Sequence, residues 1–374
     1  MSDNGLCFQP DNPLNTLQFP HDTPPEFGTT LEIAPDVFWV RMPLPLALNH
    51  INLYLLRDTD GWYVLDTGMR SDDIQTYWQQ IFAKDLDGLP VKGVIVTHMH
   101  PDHVGQAGWI CDKFRVPLYM TRAEFYSARV MVGVADGLSW SSEAFMRKYG
   151  ASEKRIEAAR SSKFRMSHMV EPLPMAYNRL QVGDVMTIAG RHWRVIIGEG
   201  HSPEHACLYC AELNVLLSGD QVIAKITSNV SVMPMEPEAN PLADWIRTLK
   251  QFYELPEDAL VLPSHNLPFY GLHKRVEELI QHHEDHMVAL ELACKTPAAL
   301  PELLPIIFKR KLDDSQIGMA QGECIAHLHL LMDRGLLERS LCDDGLYRYT
   351  TIDPKLAEKK LPEDYHGDDS PQMV

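Results

Sequence analysis

Short apolar stretches separated by Gly, Asp and Asn recur along residues 31–121 and again along residues 184–266. Their length and their β-branched and aromatic content predict β-strands. The predicted strands are VFWVRMPL (37–44), INLYLLRD (51–58), GWYVLDTG (61–68), KGVIVTH (92–98), VPLYMT (116–121), DVMTIAG (184–190), WRVIIGEG (193–200), ACLYCAE (206–212), VLLSGD (215–220) and ALVLPSHN (259–266). KGVIVTH is almost entirely apolar, which indicates a strand buried on both faces of a sheet.

Helical spacing of apolar residues marks further segments and extends over most of residues 122–178. The segments are RSDDIQTYWQQIFAK (70–84), AGWICDKF (107–114), PLADWIRTLKQFYEL (241–255) and LHKRVEELIQHHEDHMVALELAC (272–294). The histidines of QHHEDH (281–286) also have helical spacing, and we expect them on a solvated helix face. Strands interleaved with helices predict a layered α/β fold.

Composition changes at KTPAALPELLP (295–305), and residues 296–352 have their own pattern of three helices and a two-stranded hairpin joined by DDG (343–345). This pattern resembles a winged helix. The predicted organisation is an extended arm (1–30), a main domain (31–294) with a helical insert (122–178), a winged-helix-like domain (295–352) and a disordered tail (353–374).

The 374 residues carry a formal net charge of −17 and are 45% hydrophobic, which allows a sizeable core. An acidic surface repels phosphate backbones and anionic membranes, so we expect a small-molecule substrate and no membrane partner. The first residues do not resemble a signal peptide, and no stretch approaches the roughly 20 apolar residues of a membrane span, so we expect a cytoplasmic protein. The seven cysteines are scattered and predict free thiols, including the C-x-x-C pair Cys207 and Cys210 in a predicted strand.

The stretch THMHPDHVG (97–105) places four metal-binding side chains in six positions: His98, His100, Asp102 and His103. Three further candidates, His201, Asp220 and His265, each follow a predicted strand. The seven divide into two sites: His98, His100 and His201 for one ion, Asp102, His103 and His265 for a second, with Asp220 reaching both. Histidine and carboxylate without thiolate suit two divalent ions, zinc first, with iron or manganese as alternatives. Open positions on such ions indicate a catalytic site.

This constellation resembles the metallo-β-lactamase superfamily, and specifically its glyoxalase II-like hydrolases. The resemblance covers residues 31 to about 290 and rests on LDTG (65–68), THMHPDH (97–103), GHSPEH (200–205), SGD (218–220) and PSH (263–265). It implies an αββα sandwich with the metals at one edge, and a role for Asp66 in orienting the ligands. Flavodiiron relatives have Glu at the position of His100, so hydrolysis is expected rather than oxygen reduction. The leftover His168 and His205 are expected to support the ligands or to lie at the surface.

The resemblance implies a dinuclear hydrolase in which a metal-bridging hydroxide attacks a small-molecule thioester, ester or lactone. Asp102 would bind metal and pass a proton to the leaving group, and Asp220 would join the ions. GEGHSPEH (198–205) departs from the usual glyoxalase II pattern, which argues against glutathione thioesters.

The aromatic and methionine side chains of the insert predict either an apolar lid over the metals, which favours an acyl or aromatic substrate, or simple packing. They are Phe125, Tyr126, Met131, Trp140, Phe145, Met146, Tyr149, Phe164 and Met166.

An alternative function stays open. The winged-helix-like tail is similar to the small domain of the superfamily branch that includes lactamase-like protein 2, of which some members cleave RNA. KRK (309–311) would then contact phosphates, and the protein would be a nuclease. A homodimer is expected from the general frequency of dimers.

Overall fold

The computed structural model describes residues 16–45, 48–133, 138–161, 166–312 and 316–352, together with residues 365 and 367. The described residues divide into two compact units. The first draws on Met1–Val134, Arg165–Lys225 and Thr248–Glu277, and the second on Ala135–Phe164, Ile226–Arg247 and Glu278–Val374. Both units are assembled from separate stretches of the chain. The domain bounds proposed from the sequence stay a prediction.

Seven strands form the first sheet in chain order. They are β1 (Thr30–Ala34), β2 (Val37–Pro43), β3 (His50–Asp58), β4 (Gly61–Leu65), β5 (Val91–Ile95), β6 (Leu118–Thr121) and β7 (Asn178–Leu180). Antiparallel pairing joins β1 to β4 and parallel pairing joins β4 to β7, so the sheet is mixed. The sequence patterns predicted β2 to β6 but not β1 or β7, which are short and largely exposed.

Five strands form the second sheet in the order β12-β11-β10-β9-β8. They are β8 (Val185–Ile188), β9 (Arg191–Gly198), β10 (His205–Cys210), β11 (Val215–Gly219) and β12 (Leu260–Pro263). Pairing is antiparallel except between β11 and β12. Every residue of β10 and β11 is buried, which explains why these strands have apolar sequences without alternation.

The first sheet is buried on both faces, and β3 shows it directly. Leu53 and Leu55 join one apolar cluster, while Tyr54 and Leu56 join another, because successive side chains of a strand point to opposite faces. The second cluster also contains Trp193, Leu208 and Leu217 of the second sheet, so the two sheets pack face to face. Helices cover the other face of the first sheet. This is the predicted αββα arrangement.

The helices agree closely with the predicted segments. They are α1 (Asp72–Lys84), α2 (Pro101–Val104), α3 (Ala107–Phe114), α4 (Arg122–Gly133), α5 (Trp140–Lys148), α6 (Glu153–Ser161), α7 (Met166–Met169), α8 (Pro241–Leu249), α9 (Leu272–Ala293), α10 (Leu300–Ile307) and α11 (Gln316–Asp333). Ser71 caps α1 by accepting the backbone N–H of Ile74, and Trp78 buries its ring in the outer cluster. Residues 250–254 form a 3-10 turn instead of continuing α8 as predicted.

The second unit contains a three-stranded antiparallel sheet in the order β13-β15-β14. Its strands are β13 (Ala298–Ala299), β14 (Leu337–Leu341) and β15 (Tyr347–Thr351). The turn DDG joins β14 to β15 as predicted, with Gly345 at a φ of 79°. The described residues of 296–352 form two helices, α10 and α11, where three were predicted. Pro297 and the pairing of Ala298 with Tyr349 keep the start of this range extended.

The histidines of QHHEDH lie on α9, but the predicted solvated helix face is wrong. His283 and His286 are 0% and 1% exposed. Other residues of the second unit cover this face, including His327 of α11, whose ring lies 5.1 Å from that of His283. Helical spacing alone could not distinguish a solvated face from one that a distant helix covers.

Two terminal predictions concern residues that the structure covers only in part. Residues 1–15 of the predicted arm lie outside the described residues. So does the predicted disordered tail, apart from residues 365 and 367. Among the described residues, no helix has the length and apolar content that would be needed to cross a bilayer.

Candidate metal centre

The seven predicted ligands come together in the first unit because four strands end at the same edge. His98 follows β5, His201 follows β9, Asp220 follows β11 directly and His265 follows β12. The short helix α2 supplies Asp102 and His103, and it begins with Pro101, whose fixed φ suits a first helical position. All seven side chains are thus held by the ends of regular elements.

The first group consists of His98, His100, His201 and Asp220, and it offers four ligand atoms within 4.8 Å of one another. His98 Nε2 lies 2.9 Å from His100 Nδ1 and 3.2 Å from His201 Nε2. Asp220 Oδ2 lies 3.8 Å from His98 Nε2 and 3.5 Å from His201 Nε2. Three imidazole nitrogens and one carboxylate oxygen therefore face a common point.

The second group consists of Asp102, His103 and His265, again with ligand atoms within 4.8 Å of one another. His265 Nε2 lies 3.4 Å from Asp102 Oδ2, and His103 Nε2 lies 3.8 Å from the same oxygen. Asp220 also reaches this group, with Oδ2 3.3 Å from His103 Nε2 and Oδ1 3.5 Å from His265 Nε2. One carboxylate thus contacts both groups.

These separations fit divalent metal ions. Two nitrogen ligands of one tetrahedral zinc ion lie about 3.3 Å apart, since each bond is about 2.0–2.1 Å long. His103 Nε2 and His265 Nε2 are fully buried, and neither makes a hydrogen bond with any residue that the structure describes. His265 Nδ1 donates to the carbonyl of His50 (3.0 Å), and this leaves the Nε2 lone pair directed at the cluster. The donor set therefore suits two ions.

In the absence of metal, the buried histidines and carboxylates of the centre shift one another's pKa values. Burial lowers the pKa of His98 well below its usual value, and His103 and His100 lower it further. Burial opposes a charged His265, but Asp220 and Asp102 raise its pKa to about 9. Burial would raise the pKa of Asp220, but His103 and His265 hold it well below its usual value. Metal ions would replace these protons as the partners of the carboxylates.

Asp66 holds the loop that carries the first ligands. Its Oδ1 accepts the backbone N–H of Thr97 (2.8 Å), and its Oδ2 accepts the Thr97 hydroxyl (2.8 Å). Oδ2 also accepts His103 Nδ1–H at 2.8 Å, which leaves His103 Nε2 as the nitrogen that faces the cluster. Asp66 thus fixes the orientation of the His103 ring, and its role in orienting a metal ligand stays a prediction.

The leftover histidines differ in their surroundings. His168 is exposed on α7. His205 is fully buried, and its Nε2 accepts the backbone N–H of Asp220 at 3.1 Å. Its ring also lies 4.7 Å from the ring of His98. His205 therefore holds the backbone of Asp220 and is not a surface residue, and a role in supporting a metal ligand stays a prediction.

Glu124 is a buried acid that sequence analysis did not single out. Its Oε2 accepts the N–H of Met99 (2.9 Å), and its Oε1 accepts the N–H of Glu204 (2.7 Å). These two residues belong to the loops that carry His98 and His201. In return, Glu204 Oε2 accepts the N–H of Ala123 near the start of α4. Backbone donors leave no signal in the sequence, so no pattern could have identified this link.

Comparisons with known proteins identify the family. Residues 47–130 match the Metallo-beta-lactamase superfamily, and residues 287–352 match the Metallo-beta-lactamase-like, C-terminal domain. The crystal structure of a β-lactamase domain protein from Burkholderia ambifaria is 43% identical, covering 90% of this chain and 98% of that chain with a TM-score of 0.83. The chain belongs to the metallo-β-lactamase superfamily.

Two curated relatives in this superfamily are more distant. The probable metallo-hydrolase YqjP of Bacillus subtilis is 22% identical over 79% of this chain and 92% of that protein. The human acyl-coenzyme A thioesterase MBLAC2 is 25% identical over 61% of this chain and 77% of that protein. The superfamily is one of metal-dependent hydrolases, which agrees with the His and Asp clusters of this chain.

The aromatic residues of the insert separate between the two units. In the first, Phe125 stacks on Tyr177 with ring centroids 4.0 Å apart. In the second, Tyr149 contacts Phe145 and Tyr347, with centroids 4.6 and 5.4 Å away. These contacts are packing within each unit, and the lid over the metals stays a prediction. Phe164 lies outside the described residues.

The C-x-x-C pair behaves as the free thiols that were predicted. Cys207 and Cys210 are both buried in β10 and neither is in a disulfide. The thiol of Cys207 donates to the carbonyl of Ser218 at 3.3 Å. Cys207 therefore bonds to the neighbouring strand β11, and neither cysteine belongs to the two groups of candidate ligands among the described residues.

Proposed function

We propose that this protein is a dinuclear metal-dependent hydrolase that cleaves a small-molecule thioester, ester or lactone. The observation that carries the proposal is the convergence of two ligand groups on one carboxylate, that of Asp220. His98, His100 and His201 would hold one ion, and Asp102, His103 and His265 the other. Zinc is the preferred metal, with iron and manganese as alternatives.

Bound at these groups, two ions would supply a hydroxide near neutral pH and would polarise the scissile carbonyl. The chain's own residues then have separate tasks. Asp220 is buried and keeps the two groups together, whereas the Asp102 side chain is 15% exposed and accessible to a substrate. Burial opposes ionisation of Asp102, but His103 and His265 lower its pKa, so its carboxylate is ionised and can accept and pass on a proton.

A thioester is the first substrate class to test, because the human relative is named as an acyl-coenzyme A thioesterase. Esters and lactones share the attacked carbonyl carbon and use the same site chemistry. If the insert covers the centre, an acyl or aromatic portion of the substrate would bind there. A cytoplasmic location and a homodimer remain predictions.

A nuclease is the alternative, and the small domain is the feature that favours it. We interpret the α10 and α11 helices with the β14–β15 hairpin as a winged helix. Lys309 and Lys311 are exposed beside it. The net charge of −17 opposes binding to a phosphate backbone.

A hydrolysis panel with metal-loaded protein tests the proposal. It contains acyl-CoA and glutathione thioesters, acyl-homoserine and simple lactones, a phosphodiester and short single-stranded RNA, with Asp102→Ala as the blank. We expect turnover of a thioester, ester or lactone that Asp102→Ala abolishes. Cleavage of RNA alone, with binding that weakens steeply as salt rises, would replace this function by the nuclease.

A further inference from the structure

A second histidine cluster lies in the second unit and has no part in the centre described above. His282, His283 and His286 project from α9, and His327 projects from α11. His283, His286 and His327 are almost completely buried. Burying polar rings is costly unless their nitrogens have partners, so this cluster requires an explanation.

The hydrogen bonds of the cluster define which nitrogen of His283 has a lone pair. His327 Nδ1 lies 2.8 Å from the carbonyl of Glu323 and must donate to it, since a carbonyl only accepts. In the neutral ring, His327 Nε2 then accepts His283 Nδ1–H at 3.0 Å. His283 consequently keeps its lone pair on Nε2. This is how metal-binding histidines are oriented in proteins, through a hydrogen bond at the other ring nitrogen.

Other potential ligands lie close to His283. His283 Nε2 is buried, and it makes no hydrogen bond with any residue in the described part of the chain. His282, His283 and Glu323 each offer one ligand atom, and these three atoms lie within 4.8 Å of one another. Asn229 Nδ2 donates to Glu323 Oε2 at 2.8 Å and so fixes the carboxylate.

His286 extends the cluster on the same helix. Its ring centroid lies 4.2 Å from that of His282, four residues earlier, because such residues share a helix face. Neither ring nitrogen of His286 forms a hydrogen bond within the described residues, although the ring is 1% exposed.

We infer that His282, His283 and Glu323 form a binding site for one divalent transition-metal ion, zinc first. Two imidazoles and one carboxylate are a ligand set that zinc favours, and three protein ligands leave one position for a further donor. The site joins α9 to α11 within the second unit, so a bound ion stabilises the packing of these helices. It is separate from the dinuclear centre in both residues and role.

The test is the number of zinc ions bound per chain. It is measured on the full-length chain after treatment with a chelator and reconstitution with zinc. Glu323→Gln removes a ligand charge inside the cluster. Asp285→Asn removes the same charge from the partly exposed side of the same α9 helix and serves as the matched control. We expect Glu323→Gln to bind one zinc ion fewer per chain than both wild type and Asp285→Asn. Equal zinc content in all three proteins would overturn the inference.

This difference is independent of the dinuclear proposal, because that centre contributes equally to all three proteins. If the dinuclear centre held no metal, wild type would bind one ion and Glu323→Gln none. His283→Gln provides a second variant, with circular dichroism to establish that it folds. Thermal unfolding gives a further readout: zinc raises Tm through this site in wild type and Asp285→Asn. In Glu323→Gln we expect zinc to raise Tm by less than it does in wild type, because this site is lost. An equal rise in Tm in Glu323→Gln and wild type would contradict the inference.

Discussion

Asp66 shows how much of the centre depends on one residue. Its carboxylate holds both the backbone and hydroxyl of Thr97 and the ring of His103. Its backbone lies in the left-handed region, with φ at 56°, a conformation that aspartate tolerates better than most residues. The residue therefore combines a left-handed backbone conformation with a carboxylate that fixes the tautomer of His103.

Asp66→Asn tests this role. An amide that turns its NH₂ toward His103 removes the acceptor for Nδ1–H, so His103 no longer presents a lone pair at Nε2. We expect metal affinity to fall by roughly 10–100-fold, as measured by competition with a chelator. Asp36→Asn is the control, since Asp36 also has a positive φ, 63°, and is not among the proposed ligands or their supports. Equal metal affinity in the two variants would contradict the assigned role.

At the scale of elements, hydrogen bonds of Glu124 and Glu204 connect the start of α4 to the loop after β5 and the loop after β9. Glu124 accepts backbone donors from both loops, and Glu204 accepts a donor at the start of α4. Helix α4 thereby joins the loop after β5 to the loop after β9. The positions of His98 and His201 relative to each other depend on this link.

Glu124→Gln breaks half of the link, because an amide has only one acceptor oxygen for two backbone N–H groups. An unsatisfied buried donor costs about 1–3 kcal/mol, so we expect the free energy of unfolding to fall by that amount. Urea denaturation measures it, and zinc affinity should fall in parallel. Glu157→Gln on the exposed face of α6 is expected to change neither quantity. A stable Glu124→Gln protein with normal zinc affinity would show that the link is unimportant.

The end of β11 is a second element with little tolerance for change. Gly219 precedes Asp220 at a φ of 54°, and a Cβ there would lie 2.5 Å from His205 Nε2. We expect Gly219→Ala to reduce the free energy of unfolding by about 1–3 kcal/mol more than Gly190→Ala. Gly190 is a matched control because its φ is 72° but no atom lies within 4 Å of its Cβ position. Metal content should fall only in Gly219→Ala, and equal effects of the two substitutions would disprove the steric contact.

At the scale of the whole molecule, buried histidines make stability depend on pH. Burial lowers the pKa of His327 from 6.5 to about 4, so the folded chain binds fewer protons than the unfolded chain between these values. The contribution of His327 to the free energy of unfolding is therefore fully present above pH 6.5 and decreases as the pH falls toward 4. For His327 alone the loss amounts to about 3 kcal/mol.

Urea denaturation of the chelator-treated chain between pH 7 and pH 4 measures this dependence. We expect His327→Gln, which cannot be protonated, to be less sensitive to acid than wild type over this range. The same slope of unfolding free energy against pH in both proteins would show that His327 does not contribute.

Several features of this protein follow from the sequence alone. The strands from β2 to β6 and from β8 to β12 have a length and a β-branched and aromatic content that favour strands. Asp102, Asp220 and the five histidines of the proposed centre were chosen by residue type and by position at strand ends, and the structure brings them together. Such ligands are local signals, because each lies where a strand stops and the chain becomes polar.

Only the tertiary structure decided the rest, since the deciding partners lie far away in the sequence. Glu124 binds backbone N–H groups, which every residue except proline has and which no pattern reveals. His205 contacts Asp220 only because β10 and β11 pair. The histidines of α9 have the spacing of a solvated face, and their burial depends on α11, some forty residues later. Local periodicity determines which face a residue occupies, but only packing determines what covers that face.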